Sequence, residues 1–209
     1  MCPLQDPSES HRFKRIVDPL LPAEQAGFRH GRSTVDQVTL LTHDNEDSFS
    51  AKKKAGPVLV DLILVYDTAW HRGLTCKLLR LPPAGHMVRV IIGMVGNRNF
   101  TLTTGKDKRS RRRRLKNDVP QELVLPPLLF NIYISDLPTT VSRKYAYAGD
   151  LAMMHADGAW LAVEGVLSKN IATVDDYLFT WKPKLSTTKT VSAAFHLNNK
   201  EAKRELQDK

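Results

Sequence analysis

The sequence predicts an α+β fold, an antiparallel sheet with helices on one face. Three observations predict it: an aliphatic run from Pro57 to Asp67 that reads as a buried strand, two short strands about a tight turn at Ala148-Gly149-Asp150, and a long stretch of helical period from Trp160 to Trp181. A strand, then helices, a hairpin, a long helix and a last strand is an order that segregates helices from an antiparallel sheet.

Residues 1–20 are polar, contain proline and read as a ragged start. Ser33 then offers an N-cap and Asp36 part of a capping box, while Val35, Val38, Leu41 and Phe49 recur near helical spacing, which predicts a surface helix over 34–49. Lys52 to Lys54 and Gly56-Pro57 punctuate the chain before the strand. His71 to Arg80 carries Leu74, Leu78 and Leu79 on one side and suits a short helix, whereas the apolar run Val88 to Val95 fits either helix or strand. Asn99 to Thr104 with the basic stretch Lys106 to Lys116 reads as a hairpin with a solvated tip.

Pro126 and Pro127 suit the first turn of a helix running through Leu128, Leu129, Phe130, Ile132 and Tyr133 towards Asp136. Lys144 to Met154 holds the two short strands. In the long helix Leu161, Val166, Leu167, Ile171, Val174 and Leu178 recur every three to five residues. Thr190 to Leu197 predicts a last strand.

A length of 209 residues suits one domain or one and a half, and 42% hydrophobic residues can supply a core. The net charge of +9 favours an anionic partner, nucleic acid above all. Cys2 and Cys76 are too few for a disulfide framework and lack metal-ligand spacing, so no disulfide partner and a reducing intracellular compartment are expected. Residues 1–15 lack the apolar stretch of a secretory signal, and no run approaches the ~20 apolar residues of a membrane span. No membrane partner is expected.

Asp61 is the first residue that asks for a chemical explanation. A lone carboxylate inside an apolar strand costs several kcal/mol unless compensated. Two explanations stand: a cation or metal beside it, or a strand end open to solvent with the carboxylate hydrogen-bonded to backbone. Asp67 reads as a helix cap or turn residue, and Gly149-Asp150, taken alone, is ordinary turn chemistry.

Taken in order, these segments resemble LINE-type (non-LTR retrotransposon) reverse transcriptases. Gln25-Ala26-Gly27-Phe28-Arg29 with Gly31-Arg32-Ser33 looks like the family's fingers motif, and Asp61 to Asp67 with Thr68, Trp70-His71 and Leu74 resembles the first palm motif. Asn117 to Gln121, then Leu128-Leu129-Phe130-Asn131 and Ser135-Asp136-Leu137, resembles the template-contacting motif and its helix. Tyr145 to Leu151 is similar to the Tyr-Ala-Asp-Asp hairpin, and Trp181 with Leu185-Ser186-Thr187-Thr188-Lys189-Thr190 to the lysine-bearing motif after it. The resemblance spans about Leu20 to Leu197.

It implies a right-hand polymerase palm over 57–200 with partial fingers over 21–56, a tail over 201–209 and no thumb. The implied partners are an RNA template and a DNA primer, or an RNA–DNA hybrid. In the family two divalent cations, Mg2+ by this resemblance, serve in-line nucleotidyl transfer. Asp61 and Asp150 are the implied metal ligands and, with Lys189, the implied catalytic residues. Tyr66 would exclude ribonucleotides and Gln121 would touch the templating pair. Lys189 would protonate or attract the leaving pyrophosphate, or else be a solvated lysine. Arg109, Arg111, Arg112, Arg113 and Arg114 would release counterions from a nucleic-acid backbone.

Two departures weigh against activity. Gly149 stands where the family has a metal-binding aspartate, and strand alternation turns Asp150 to the opposite face from that position, so metal binding is expected to be weak. After Gln121 the family's glycine is replaced by Glu122, which adds bulk and negative charge near phosphates. The sequence also starts after the place of the first fingers motif, stops before a thumb and holds no endonuclease segment. These features point to a reverse transcriptase palm with catalysis impaired or lost, to a non-catalytic nucleic-acid-binding remnant, or to a decayed product without selected function.

Overall fold

The computed structural model describes residues 7–63, 69–81, 85–96, 98–105, 108–117 and 126–197. The chain divides into two compact units, Met1–Leu21 with Leu64–Ile134, and Pro22–Ile63 with Ser135–Lys209.

In the first unit α1 spans Pro7–Val17 and is followed by a 3₁₀ turn, Asp18–Leu20. Phe13 and Val17, one helical turn apart, are both fully buried, the signal that a reading of this segment as ragged overlooks. The segment of open period becomes a helix, α4 (Gly85–Gly96), burying Val88, Ile91 and Val95 at three- and four-residue steps. Between α1 and α4 in sequence lies α3 (His71–Leu79), which packs on α4 and on α5 (Pro126–Tyr133). Leu74 and Leu78 are its buried anchors, each worth about 1.5–3 kcal/mol of apolar burial. As expected, Pro126 and Pro127 open α5, where their missing amide hydrogens cost nothing. Buried Lys77 of α3 donates from Nζ to the carbonyl of Tyr133, the last residue of α5. It thereby answers a carbonyl that the helix end leaves without a partner.

The second unit is built on β1 (Lys54–Ile63). β1 pairs antiparallel with β7 (Asp150–Asp157), from Lys54 opposite Asp157 to Asp61 opposite Asp150, and β7 pairs in turn with β6 (Arg143–Tyr147). On its other side β1 meets two short strands, β8 (Lys184–Leu185) and β9 (Val191–Ser192), completing five. The strand starts earlier than the Gly56-Pro57 punctuation suggests. Pro57 is accommodated because its missing amide faces only the fragmentary β9 side: Ala193 N–H donates to Pro57 O at 3.0 Å, and proline cannot return that bond. The expected last strand is correspondingly reduced to β9 and a bridge between Ala55 and Phe195. Residues 64–67 of the expected strand lie outside those described.

The antiparallel sheet and α+β class follow the sequence, and the helix cover exceeds it. α6 (Trp160–Trp181) packs on β1 and β7, with Lys54 Nζ 5.5 Å above the Trp160 ring. Alternation sends Val58, Val60, Leu62, Leu151 and Met153 to that face. The other face carries Ala55, Tyr145 and Met154, buried together and packed by Leu41 of α2 (Thr34–Ser50). α2 begins at Ser33 with the reciprocal capping box that Asp36 foreshadowed, Ser33 N–H to Asp36 Oδ2 at 2.6 Å and Asp36 N–H to Ser33 Oγ at 3.2 Å.

Candidate functional site

Asp61 and Asp150 are directly opposed across β1 and β7. Leu62 N–H donates to Gly149 O at 2.9 Å, which makes the neighbouring 61/150 pair the non-hydrogen-bonded kind, with Cα atoms about 4.5 Å apart and side chains on one face. Asp150 is therefore not turned away from Asp61. Gly149, in the turn between β6 and β7, stands opposite Leu62, and Asp150, the first residue of β7, stands opposite Asp61, so alternation separates Gly149 from Asp150 while bringing Asp150 onto the face of Asp61.

Lys189 joins this pair. Its Nζ lies 3.0 Å from Asp61 Oδ2, with the lysine side chain 72% and the aspartate 24% exposed. Backbone fixes the approach: buried Ser186 donates its N–H to the carbonyl of Asp61 itself at 2.8 Å, and Ser186 O then accepts from the amides of Lys189 and Thr190 and from Thr190 Oγ1. Of the two explanations for Asp61, a cation beside it and a strand end open to solvent, the structure supplies elements of both.

The turn at Ala148-Gly149 is held from outside. Gln25 forms a parallel bridge with Ala146, Ala26 N–H donates to Ala146 O at 2.8 Å, and Ala146 N–H donates to Glu24 O at 2.9 Å. This brings Gly27 against the turn: a Cβ there would press on Ala148 N, lie 2.9 Å from Ala148 Cα and 3.1 Å from Tyr147 C. Ala148 has φ of 53°, a conformation that costs a non-glycine residue energy and persists only under such support. Phe28 adds a ring contact to Tyr147 at 6.5 Å. Arg29 and Arg32 spend guanidinium bonds on this loop's own carbonyls, Pro22 and Gln25 O for the first and Ala23 O for the second.

Beside the carboxylates a cavity of about 570 Å³ opens between α2 (Thr34, Gln37, Val38, Leu41) and the sheet (Leu59, Tyr145, Tyr147, Ala152, Val191). Asp61, Asp150 and Lys189 also line it. Tyr145 donates its hydroxyl to buried Asp44, which Arg143 also pairs, and burial raises the Tyr145 phenol above its usual range. This network, like the contact of Gly27 with the turn, was invisible in the sequence because its members are brought together only by the fold.

In the other unit the basic segment forms the expected hairpin. β2 (Asn99–Phe100) pairs with β5 (Arg113–Arg114), and β3 (Thr103–Thr104) with β4 (Lys108–Arg109), with the register slipping by one residue between the two ladders. Arg109, Arg111, Arg112 and Arg113 are exposed. Arg114 is engaged, donating Nε and Nη2 to Gly96 O at 2.9 and 2.6 Å, at the end of α4.

Tyr66, Gln121 and Glu122 lie outside the described residues. Among the described residues no three His, Cys, Asp or Glu side chains gather to hold a metal. Two carboxylates, one already paired with an ammonium, do not fit a centre in which two divalent cations share anionic ligands. Among the same residues no helix is long and apolar enough to cross a membrane.

The sequence matches one family, reverse transcriptase (RNA-dependent DNA polymerase), over residues 10–204. It is similar to a probable RNA-directed DNA polymerase from transposon BS of Drosophila melanogaster, 30% identical over 187 residues, which is 85% of this chain and 20% of that protein. The RNA-directed DNA polymerase from mobile element jockey of the same species is 24% identical over 188 residues, 86% of this chain and 20% of that one. The chain thus spans about a fifth of the length of these relatives. Among solved structures, apo telomerase from Candida tropicalis truncated from its C-terminal domain superposes with a TM-score of 0.62 at 12% identity, covering 91% of this chain and 41% of that one. Candida albicans telomerase in complex with a fragment of telomeric RNA gives 0.60 at 12% identity, covering 94% and 35%. At such identities the likeness concerns the fold alone.

Proposed function

The chain belongs to the reverse transcriptase family, in its LINE-type, non-LTR retrotransposon branch, and from that premise we propose that it is a fingers-and-palm segment, acting inside the cell, that holds an RNA template with a DNA primer or an RNA–DNA hybrid while its nucleotidyl transfer is impaired or lost. In this reading 21–56 are partial fingers and 57–200 the palm.

One observation carries the proposal: Gly149 puts no carboxylate on the turn, so among the described residues Asp61 and Asp150 face each other there without a third acid, and Lys189 already pairs with Asp61. Reverse transcriptases use divalent metal ions, and this donor set supports at most weak binding of one. What the residues can do without metal is electrostatic. The cavity beside Lys189 would receive an apolar ring or sugar edge, and exposed Arg109, Arg111, Arg112 and Arg113 would contact a phosphate backbone in the other unit.

Primer extension is the test. Purified chain with an RNA template, a DNA primer and Mg2+ or Mn2+ is expected to add no nucleotides, and robust extension would overturn the proposal. The pair Gly149→Asp with Glu122→Gly asks whether these two positions are the whole deficit. Affinity for an RNA–DNA hybrid is expected to fall steeply with salt, and absent or salt-independent binding would remove the nucleic-acid half of the reading.

A further inference from the structure

We propose that Lys189 is the resident cation of this palm, supplying beside Asp61 positive charge that a divalent ion would otherwise bring, so that the chain itself offsets one of the two opposed carboxylates and its binding of nucleic acid does not depend on divalent ions. The inference rests on the reading of the palm given above and goes beyond it by assigning the charge-bearing group.

Asp61 and Asp150 face each other on one side of adjacent strands, and like charges directly opposed in a sheet destabilise it. A cation between or beside them relieves this, and Lys189 Nζ at 3.0 Å from Asp61 Oδ2 is that cation. Its position is not left to a wandering side chain. The tie from Ser186 N–H to Asp61 O docks the lysine's own turn on the residue that the lysine neutralises, and three further bonds to Ser186 O close the turn. The backbone that carries the cation is therefore bonded directly to the residue that carries the carboxylate.

A divalent ion meets two obstacles here. It must displace or lie beside an ammonium, and it finds only two carboxylates, since Gly149 contributes no side chain and no three-ligand cluster exists among the described residues. Replacing Lys189 by a neutral residue makes the local charge more negative, from about −1 to about −2, and removes the competitor. Because the lysine is largely solvated, the change is moderate, about tenfold in divalent affinity.

The experiment is a Mn2+ titration of the full chain followed by the electron paramagnetic resonance of free Mn2+, without nucleic acid. Lys189→Met and Lys189→Gln are each expected to bind Mn2+ about tenfold more tightly than the unaltered chain, Lys189→Arg to bind like it, and Lys189→Met with Asp61→Asn to lose the gain. Equal affinities for the unaltered chain and both neutral variants would overturn the assignment. In a second arm, hybrid binding by the unaltered chain is expected to change less than twofold on adding EDTA, and a loss of tenfold or more would overturn it as well. A chain that binds no hybrid refutes the function proposed above, while the titration still decides for or against Lys189.

Discussion

Replacing Gly27 by alanine tests how the loop of residues 24–29 supports the turn between β6 and β7. The added Cβ would press on Ala148 N and lie 2.9 Å from Ala148 Cα and 3.1 Å from Tyr147 C, all backbone atoms of a turn already strained by the positive φ of Ala148. Relief requires the loop to withdraw by about 1 Å, an overpacking cost of about 1–3 kcal/mol. The withdrawal stretches the bonds from Ala26 N–H to Ala146 O and from Ala146 N–H to Glu24 O, each worth about 1 kcal/mol. A total near 3 kcal/mol corresponds to a fall in Tm of roughly 6–12 °C for a chain of this size. Thermal unfolding by circular dichroism measures it, with Gly165→Ala as control. Gly165 lies within α6 and a Cβ there meets nothing within 4 Å, so that variant should be stabilised by about 0.5–1 kcal/mol. If Gly27→Ala melts within 2 °C of the unaltered chain, the docking of this loop does not constrain the turn.

Two further outcomes follow from the first unit. Burial pushes the Tyr133 phenol up to about 12, against about 10 when unfolded, so the folded state holds this proton more tightly. Its contribution is complete below pH 10 and is lost as pH rises towards 12, by about 2 kcal/mol. Urea melts from pH 9 to 11.5 should lose stability faster for the unaltered chain than for Tyr133→Phe, and parallel alkaline limbs would contradict this. On the basic hairpin, alanine at Arg109, Arg111, Arg112 or Arg113 should each reduce the log–log salt slope of hybrid binding by about 0.7–0.9. Arg114→Ala should leave that slope unchanged and instead cost about 1 kcal/mol of stability through the lost bonds to Gly96 O; an equal slope change at all five positions would refute the division.

What could be read from the chain beforehand was local. Ser33 and Asp36 form their capping box within three residues, Pro126-Pro127 start α5, and the apolar period of 160–181 gives α6 with its ends at Trp160 and Trp181. What escaped depends on partners distant in sequence. The pairing of Asp61 with Asp150 is a matter of register, and register is set by the turn; alternation separates positions 149 and 150 but does not say which of them lies opposite Asp61. Pro57 looked like punctuation, yet the strand runs through it because its one missing bond falls on a side where only the short β9 pairs, a fact that no window around Pro57 contains. Gly27 resembles any loop glycine until the turn is laid against it. Of the site, Asp61, Asp150 and Lys189 were each nominated from the motif order, yet their meeting, and the carbonyl of Asp61 that docks the lysine's turn, belong to the folded chain.

The bridge between Gln25 and Ala146 has a consequence for solubility. β6 is the outermost strand on its side of the sheet, and a free edge of unpaired amides and carbonyls invites a strand from another copy. Residues 24–26 cover that edge with main-chain bonds at Ala146, and on the opposite side β9 is too short and Pro57 too poor a donor to extend a ladder. The loop that steadies the turn is therefore also the chain's guard against self-association. When it lifts, whether by heat or by a side chain at Gly27, the amide and carbonyl of Ala146 on the outer side of β6 lose these partners and become available to a strand from another copy.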